Sequence, residues 1–199
     1  MPNSTNTPPY AQALERLLIG NRRYVALRQL HPRQSATHRQ TLVEGQHPFA
    51  AILSCSDSRV PSELIFDQGL GDLFIVRTAG HAVGALVLAS LEYAVFALHV
   101  PLIMVLGHAQ CGAVKAVMSA QTLPGHLPQL AESLRPALAA IDPASEDALD
   151  QAVRASARFT AHYLTTESAV LHAAVDENYL KIVPAYYDLS TGGVQILED

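Results

Sequence analysis

Three residues of this chain have the types and spacing to hold a metal ion: Cys55, His108 and Cys111. In the run His108-Ala109-Gln110-Cys111-Gly112, two of them stand three residues apart, so both side chains can reach one ion from a tight turn. Two thiolates and one imidazole suit zinc, which accepts soft sulfur and borderline nitrogen in tetrahedral geometry. A structural zinc site is closed by four protein ligands, yet this chain has only two cysteines. Three protein ligands leave a fourth position for water, which is the catalytic arrangement. The two cysteines could instead form one disulfide, but no export signal opens the chain, and a metal or catalytic role is expected.

Cys55 begins the run Cys55-Ser56-Asp57-Ser58-Arg59. A carboxylate beside a zinc-bound hydroxide can accept its hydrogen bond and aim an oxygen lone pair at a substrate. Asp57 can also coordinate the metal itself and shut the open position. Arg59 can hold that carboxylate in a two-bond fork, ionised and away from the metal. Residue types alone leave plainer readings open. A buried cysteine is commonly a small apolar side chain, a histidine at a strand end a satisfied core residue, and Asp57–Arg59 an ordinary turn ion pair. His81 follows another strand end and either caps a loop or lines a cleft. His99, His126, His162 and His172 have no partner at ligand spacing and receive no role.

These residues need a frame. Residues 49–54 (FAAILS), 73–77 (LFIVR) and 101–107 (PLIMVLG) are short apolar runs without alternation, as in strands covered on both faces. A nearly all-apolar helix over residues 83–98 lies between the second and third runs, which predicts a βαβ unit and a parallel sheet. Open parallel sheets place ligand sites at the carboxyl ends of strands, where both metal-ligand motifs fall. Residues 121–128 read as a loop, and helices are expected over 129–140, 145–164 and 166–175. A last strand over 179–187 turns at 190–193 into a short run, 194–197, pairing antiparallel at the edge. The expected fold is therefore α/β: one domain with a mainly parallel sheet flanked by helices. Residues 1–47 form an N-terminal helical arm and residues 48–199 the catalytic core. Within the arm, Thr7-Pro8-Pro9 is a helix start and Leu14, Leu17, Leu18, Tyr24 and Val25 recur on one side. A second short helix runs from Ser35 to Gly45. The arm has too few apolar residues to fold alone, so it must lie on its own core or on a partner subunit.

With 199 residues, 49% of them hydrophobic, the chain can bury one sizeable core. Its formal charge of -5 gives no electrostatic case for nucleic acid or an anionic membrane surface. The cluster Arg16, Arg22, Arg23, Arg28, Arg33 and Arg39 reads as a solvated face. The longest apolar stretch, residues 82–100, is broken by Ser90, Glu92 and His99, so it reads as a buried helix and no membrane span is expected. The first residues lack a basic segment followed by an apolar run, and a cytoplasmic location is expected.

The segments CSDSRVPSELIFDQGLGDLFIVRTAG (55–80), ASLEYAV (89–95) and VPLIMVLGHAQCGAVKAV (100–117) closely resemble the β-class carbonic anhydrases. The similarity extends from the N-terminal helix to the YDLSTG turn (187–192). It is nearer to bacterial members than to the plant-like branch, whose substrate-side glutamine falls at Gly69. The resemblance implies that Cys55, His108 and Cys111 are zinc ligands for one Zn2+ per chain. It implies that Asp57 and Arg59 are the catalytic dyad, with Asp57 a fourth ligand only in a closed form. The implied reaction is reversible hydration of carbon dioxide to bicarbonate and a proton by zinc-bound hydroxide, with Val60 and backbone near Gly112 as pocket elements. A homodimer or higher homo-oligomer is implied as well, its N-terminal helices embracing the neighbour. Some bacterial members bind inhibitory bicarbonate through a Trp, an Arg and a Tyr. Arg77 and Tyr187 match the last two, but Ile52 replaces the Trp, so that second site is not expected. Two alternatives keep the metal site: a zinc hydrolase of carbonyl sulfide or carbon disulfide, and a non-enzymatic zinc- or bicarbonate-binding protein held shut by Asp57.

Overall fold

The apolar runs become strands because helices cover both faces of the sheet they form. The computed structural model of the chain describes residues 8–119 and 122–198. Its strands are β1 (Ala50–Cys55), β2 (Leu73–Thr78), β3 (Leu102–His108), β4 (Lys181–Tyr187) and β5 (Val194–Ile196), in the spatial order β2-β1-β3-β4-β5. The first four are parallel and β5 pairs antiparallel with β4, as the sequence predicts. Side chains alternate across a strand, and each face finds its own core. Ala51, Leu53, Ile103 and Val105 pack under one helical layer: α4 (Ala85–Phe96), α6 (Leu127–Leu138), α7 (Ala148–Glu167) and α8 (Ala169–Asp176). Ala50, Ile52, Leu102, Met104 and Leu106 pack on the other side against α1 (Pro9–Val25) and α3 (Ser62–Ile65). Each fully buried Leu or Ile contributes about 1.5–3 kcal/mol. Polar residues on either face would forfeit that, which is why the runs show no alternation.

Two short helices escaped the sequence reading, α3 and α5 (Gly112–Met118). Four and seven residues are too few to display a helical period. Helix α6 starts at Leu127, inside the expected loop, because Pro128 sits in its first turn, where a missing N–H costs nothing. In the arm, α2 (Ala36–Thr41) is capped by the Ser35 hydroxyl, which accepts from the His38 N–H at 3.1 Å. Thr7 and Gln121 lie outside the described residues.

Helix α1 lies on its own chain's core, burying Ala13, Leu17, Gly20 and Asn21. A Cβ at Gly20 would fall 1.7 Å from the Phe66 carbonyl oxygen, so only glycine allows this approach. The solvated reading of the arginine cluster is corrected for three of its members. Arg23 pairs with Asp67, and Arg16 and Arg33 both pair with Asp72, each at 2.6 Å. Both carboxylates are nearly buried, in a segment some 40 to 55 residues away, a separation no local pattern reveals. Asp67 also accepts the backbone N–H groups of Leu30 and His31, at 3.0 Å each, and so ties down the chain after α1.

Burial pushes the Asp67 carboxyl up, but the Leu30 N–H, the Arg23 guanidinium and the His31 N–H outweigh it and leave it below the usual value. A depressed folded value means the stabilisation is complete above the ordinary carboxylate pKa, about 3.9, and is lost as pH falls through the folded one. Asp67→Asn is therefore expected to cost about 2–3 kcal/mol at pH 7, from the lost charged hydrogen bonds. The gap between the two proteins' thermal midpoints should close as pH drops below 4 (roughly the ordinary value). Melts across pH 3–7 that keep the gap constant would show that the charge on Asp67 is not what holds the arm.

Candidate metal centre

The parallel register brings the carboxyl ends of four strands to one end of the sheet. Cys55 ends β1 opposite Thr78 of β2, and His108 ends β3 opposite Tyr187 of β4. After His108 the chain turns through Gln110, which takes a left-handed φ of 53°, while the Ala109 N–H is held by the Tyr187 carbonyl at 2.9 Å. That turn delivers Cys111, the residue immediately before α5, back beside His108. The Cys55 and Cys111 sulfurs and a ring nitrogen of His108 all lie within 4.8 Å of one another, and all three residues are buried.

The electrostatics sort the two sulfurs. The Cys55 thiol is lowered, first by the hydrogen bond from Cys111, against burial, and then by the backbone N–H groups of Gly80 and Asp57. Those N–H groups stand 3.2 and 3.4 Å from its sulfur. Cys111 is pushed up by the same contact and by burial. With two backbone N–H groups on its sulfur, Cys55 is the more readily ionised of the two. Gly80 can aim its N–H at Cys55 because it adopts φ 62°, and its bare Cα packs against Leu134 and Ala113. The sequence signal for this was the glycine just beyond a strand end, in Thr78-Ala79-Gly80-His81.

Does this set fit zinc? The Nδ1 atom of His108 lies 2.8 Å from the Ala109 carbonyl oxygen, which fixes its proton there, since only a donor is useful against a carbonyl. The Nε2 atom is buried with no hydrogen-bond partner among the described residues. A lone pair left unpaired in the interior is costly unless something takes it up, and here it faces two sulfurs. The donor set fits zinc.

Asp57 and Arg59 come together beside this cluster. Arg59 holds the Asp57 carboxylate in a fork, with Nε at 2.9 Å from Oδ1 and Nη2 at 2.7 Å from Oδ2. The Arg59 backbone N–H adds a third bond at 2.9 Å. The fork keeps the Asp57 carboxyl well below the usual carboxylate range, and His108 Nε2 lies 4.0 Å from Oδ2. Val60 is fully buried in the core behind this turn, while the Cα of Gly112 faces open space. His81 neither caps a loop nor lines a cleft: it is buried, both ring nitrogens lack hydrogen-bond partners, and burial pushes its imidazole down to about 4. Ile52 is in the core, the Tyr187 hydroxyl meets that of Tyr24 at 3.3 Å, and Arg77 is bonded to backbone.

Buried sulfur and imidazole donors at the carboxyl ends of parallel strands, with a carboxylate alongside, make a candidate metal site whose donor set is that of a zinc enzyme. The carbonic anhydrase family profile matches residues 50–194. Carbonic anhydrase 2 of Mycobacterium tuberculosis is 44% identical over 191 residues, covering 94% of this chain and 92% of its own. The carbonic anhydrase of Mycolicibacterium smegmatis is 40% identical over 200 residues, covering 98% and 95%. Among solved structures, the β-carbonic anhydrase CafA of Aspergillus fumigatus superposes with a TM-score of 0.74 at 26% identity, covering 93% of this chain and 90% of that one. A Coccomyxa β-carbonic anhydrase in complex with acetazolamide gives 0.73 at 25% identity, covering 92% and 86%. The chain belongs to the β class of the carbonic anhydrase family, and is thereby a zinc-dependent enzyme that hydrates carbon dioxide.

Proposed function

We propose that Cys55, His108 and Cys111 hold the one zinc of each chain, and that Asp57 and Arg59 complete the catalytic site. The buried, unpartnered Nε2 of His108, facing two sulfurs, is the observation that carries this reading. Zinc, when bound there, supplies a Lewis acid able to bring the pKa of a water to about 7, as it does in carbonic anhydrases with three histidine ligands. The remaining work belongs to the chain. Asp57 is ionised at every working pH and can only accept. It therefore fixes the direction of an O–H placed beside His108 and leaves that oxygen's lone pair for the carbon of carbon dioxide. An acid as strong as Asp57 cannot keep the proton the reaction releases, so that proton passes on to buffer.

The fork from Arg59 favours this reading over the non-enzymatic one, since a permanently closed site has no need of an arginine drawing the carboxylate off. Carbonyl sulfide and carbon disulfide would meet the same groups. The deciding experiment compares carbon dioxide hydration with hydrolysis of both sulfur compounds on one zinc-loaded preparation. Fast hydration with slow sulfur chemistry is expected, and the reverse order would overturn the assignment.

The assembly we propose is a homodimer or larger, with residues 1–47 as the arm and 48–199 as the core, in keeping with a family match that begins at residue 50. Edge strand β2 has one free side, and α4 next to it leaves Leu86, Tyr93 and Phe96 exposed by 84%, 51% and 76%. Leu27, Leu30 and Val43 of the arm are exposed as well. Large apolar side chains left exposed in this number are what a subunit interface would cover. Leu86→Asp combined with Phe96→Asp is expected to shift the protein to monomer in light scattering, and an unchanged assembly would place the interface elsewhere. No helix among the described residues is long and apolar enough to cross a membrane. Two free cysteines at a metal-ligand spacing suit a reducing compartment, the cytoplasm.

A further inference from the structure

We propose that Arg77 is the positioning residue of the zinc-ligand turn, gripping the main chain of Cys55 and Asp57 and not an anion. The inference rests on the metal-site reading above and extends it to a residue outside the ligand set.

The ladder between β1 and β2 ends at Cys55 and Thr78, with one further bond from the Ser56 N–H to the Thr78 carbonyl. Beyond that point no strand among the described residues holds the turn that follows the Cys55 ligand and carries the Asp57 carboxylate. Arg77 reaches forward from β2 and takes over. Its Nε donates to the Cys55 carbonyl at 2.9 Å and its Nη2 to the Asp57 carbonyl at 2.5 Å. The Asp57 carbonyl also closes the turn with the Val60 N–H at 3.1 Å. One planar guanidinium thus fixes two carbonyls two residues apart, a span that a rigid fork achieves and the point charge of a lysine does not. The neighbouring Arg59 fixes the side chain of Asp57 while Arg77 fixes its backbone. Together they leave the carboxylate neither rotation nor translation. Groups that orient metal ligands in this way typically carry a 10–100-fold effect when removed.

The test loads full-length protein and the variants Arg77→Ala and Arg77→Lys with cobalt(II), whose visible bands report ligand geometry. Both variants are expected to take up one cobalt per chain with altered thiolate–cobalt bands, and to lose the ion to a chelator about 10-fold faster. Zinc-loaded forms should lose about 10–100-fold in kcat with little change in KM. Added guanidinium should restore the Ala variant towards native bands and rate, whereas methylammonium should not. Native-like bands and chelator rates in both variants would overturn the proposal. So would equal rescue by methylammonium, or a loss confined to KM or to bicarbonate inhibition, the mark of an anion-binding arginine. If Arg77→Ala does not fold, Arg77→Lys carries the spectroscopic comparison alone. Native protein that takes up no cobalt would overturn the metal-site reading itself, and with it this one; the other negative outcomes count against Arg77 alone.

Discussion

Cys111→Ser is expected to lose zinc and carbon dioxide hydration together, from about one ion per chain to near none, with activity at background. A hydroxyl differs little in size from a thiol, and residue 111 precedes α5 outside the strands, so the fold should survive the change. What changes is the ligand. Serine does not deprotonate to meet a metal at neutral pH, and a site cut from three protein donors to two holds the ion poorly against solvent. The proton arrangement adds a second readout. A metal takes cysteine as thiolate, so zinc uptake by the native chain should release a proton from the raised Cys111 thiol into the buffer. Titration calorimetry in buffers of different ionisation enthalpy measures it. Because the Cys111 thiol is raised, uptake should weaken as pH falls. Elemental analysis showing full zinc in Cys111→Ser would remove Cys111 from the ligand set.

The second large effect concerns Asp57. Asp57→Ala should keep its zinc yet lose about 10–100-fold in kcat, because the acceptor that sets the direction of the attacking oxygen is gone. Arg59→Ala acts on the same carboxylate from the other side. It removes the two side-chain bonds of the fork but leaves the Arg59 backbone N–H, which substitution does not touch. The carboxylate is then loosened while its Oδ2 remains 4.0 Å from His108 Nε2, within a short swing of the metal position. A shift towards the closed, four-ligand form is expected, with activity falling and zinc held more tightly. Crystals of the Arg59→Ala protein loaded with zinc decide the matter. A carboxylate still turned away from the ion, in an enzyme of native activity, would reduce Asp57 and Arg59 to a surface ion pair.

Motif spacing made Cys55, His108 and Cys111 candidate metal ligands and set Asp57 and Arg59 beside them, but left plainer readings open, and the resemblance to the β-class carbonic anhydrases supplied their roles. Cys55 and His108 end strands whose continuous hydrophobicity is visible in the sequence, and a parallel sheet places such ends side by side. The sequence likewise carried the order and type of the long elements, because burial on both faces leaves an unmistakable composition. Contacts that depend on chain segments far apart were decided only by the tertiary structure. Arg16, Arg23 and Arg33 look like solvated charge until the fold sets Asp67 and Asp72 under them. Arg77 matched an anion site by position, yet the register of β2 against β1 puts its guanidinium on the main chain of the ligand turn. His81 stood at a strand end like a site residue, and the left-handed turn at Gly80 and His81 buries it instead, sending only the Gly80 N–H to the thiolate. Types and local spacing state which groups can do the chemistry. Which of two sulfurs receives the backbone N–H groups, and which arginine holds backbone and which side chain, follows from burial and from hydrogen-bond direction, and those exist only once the chain has folded.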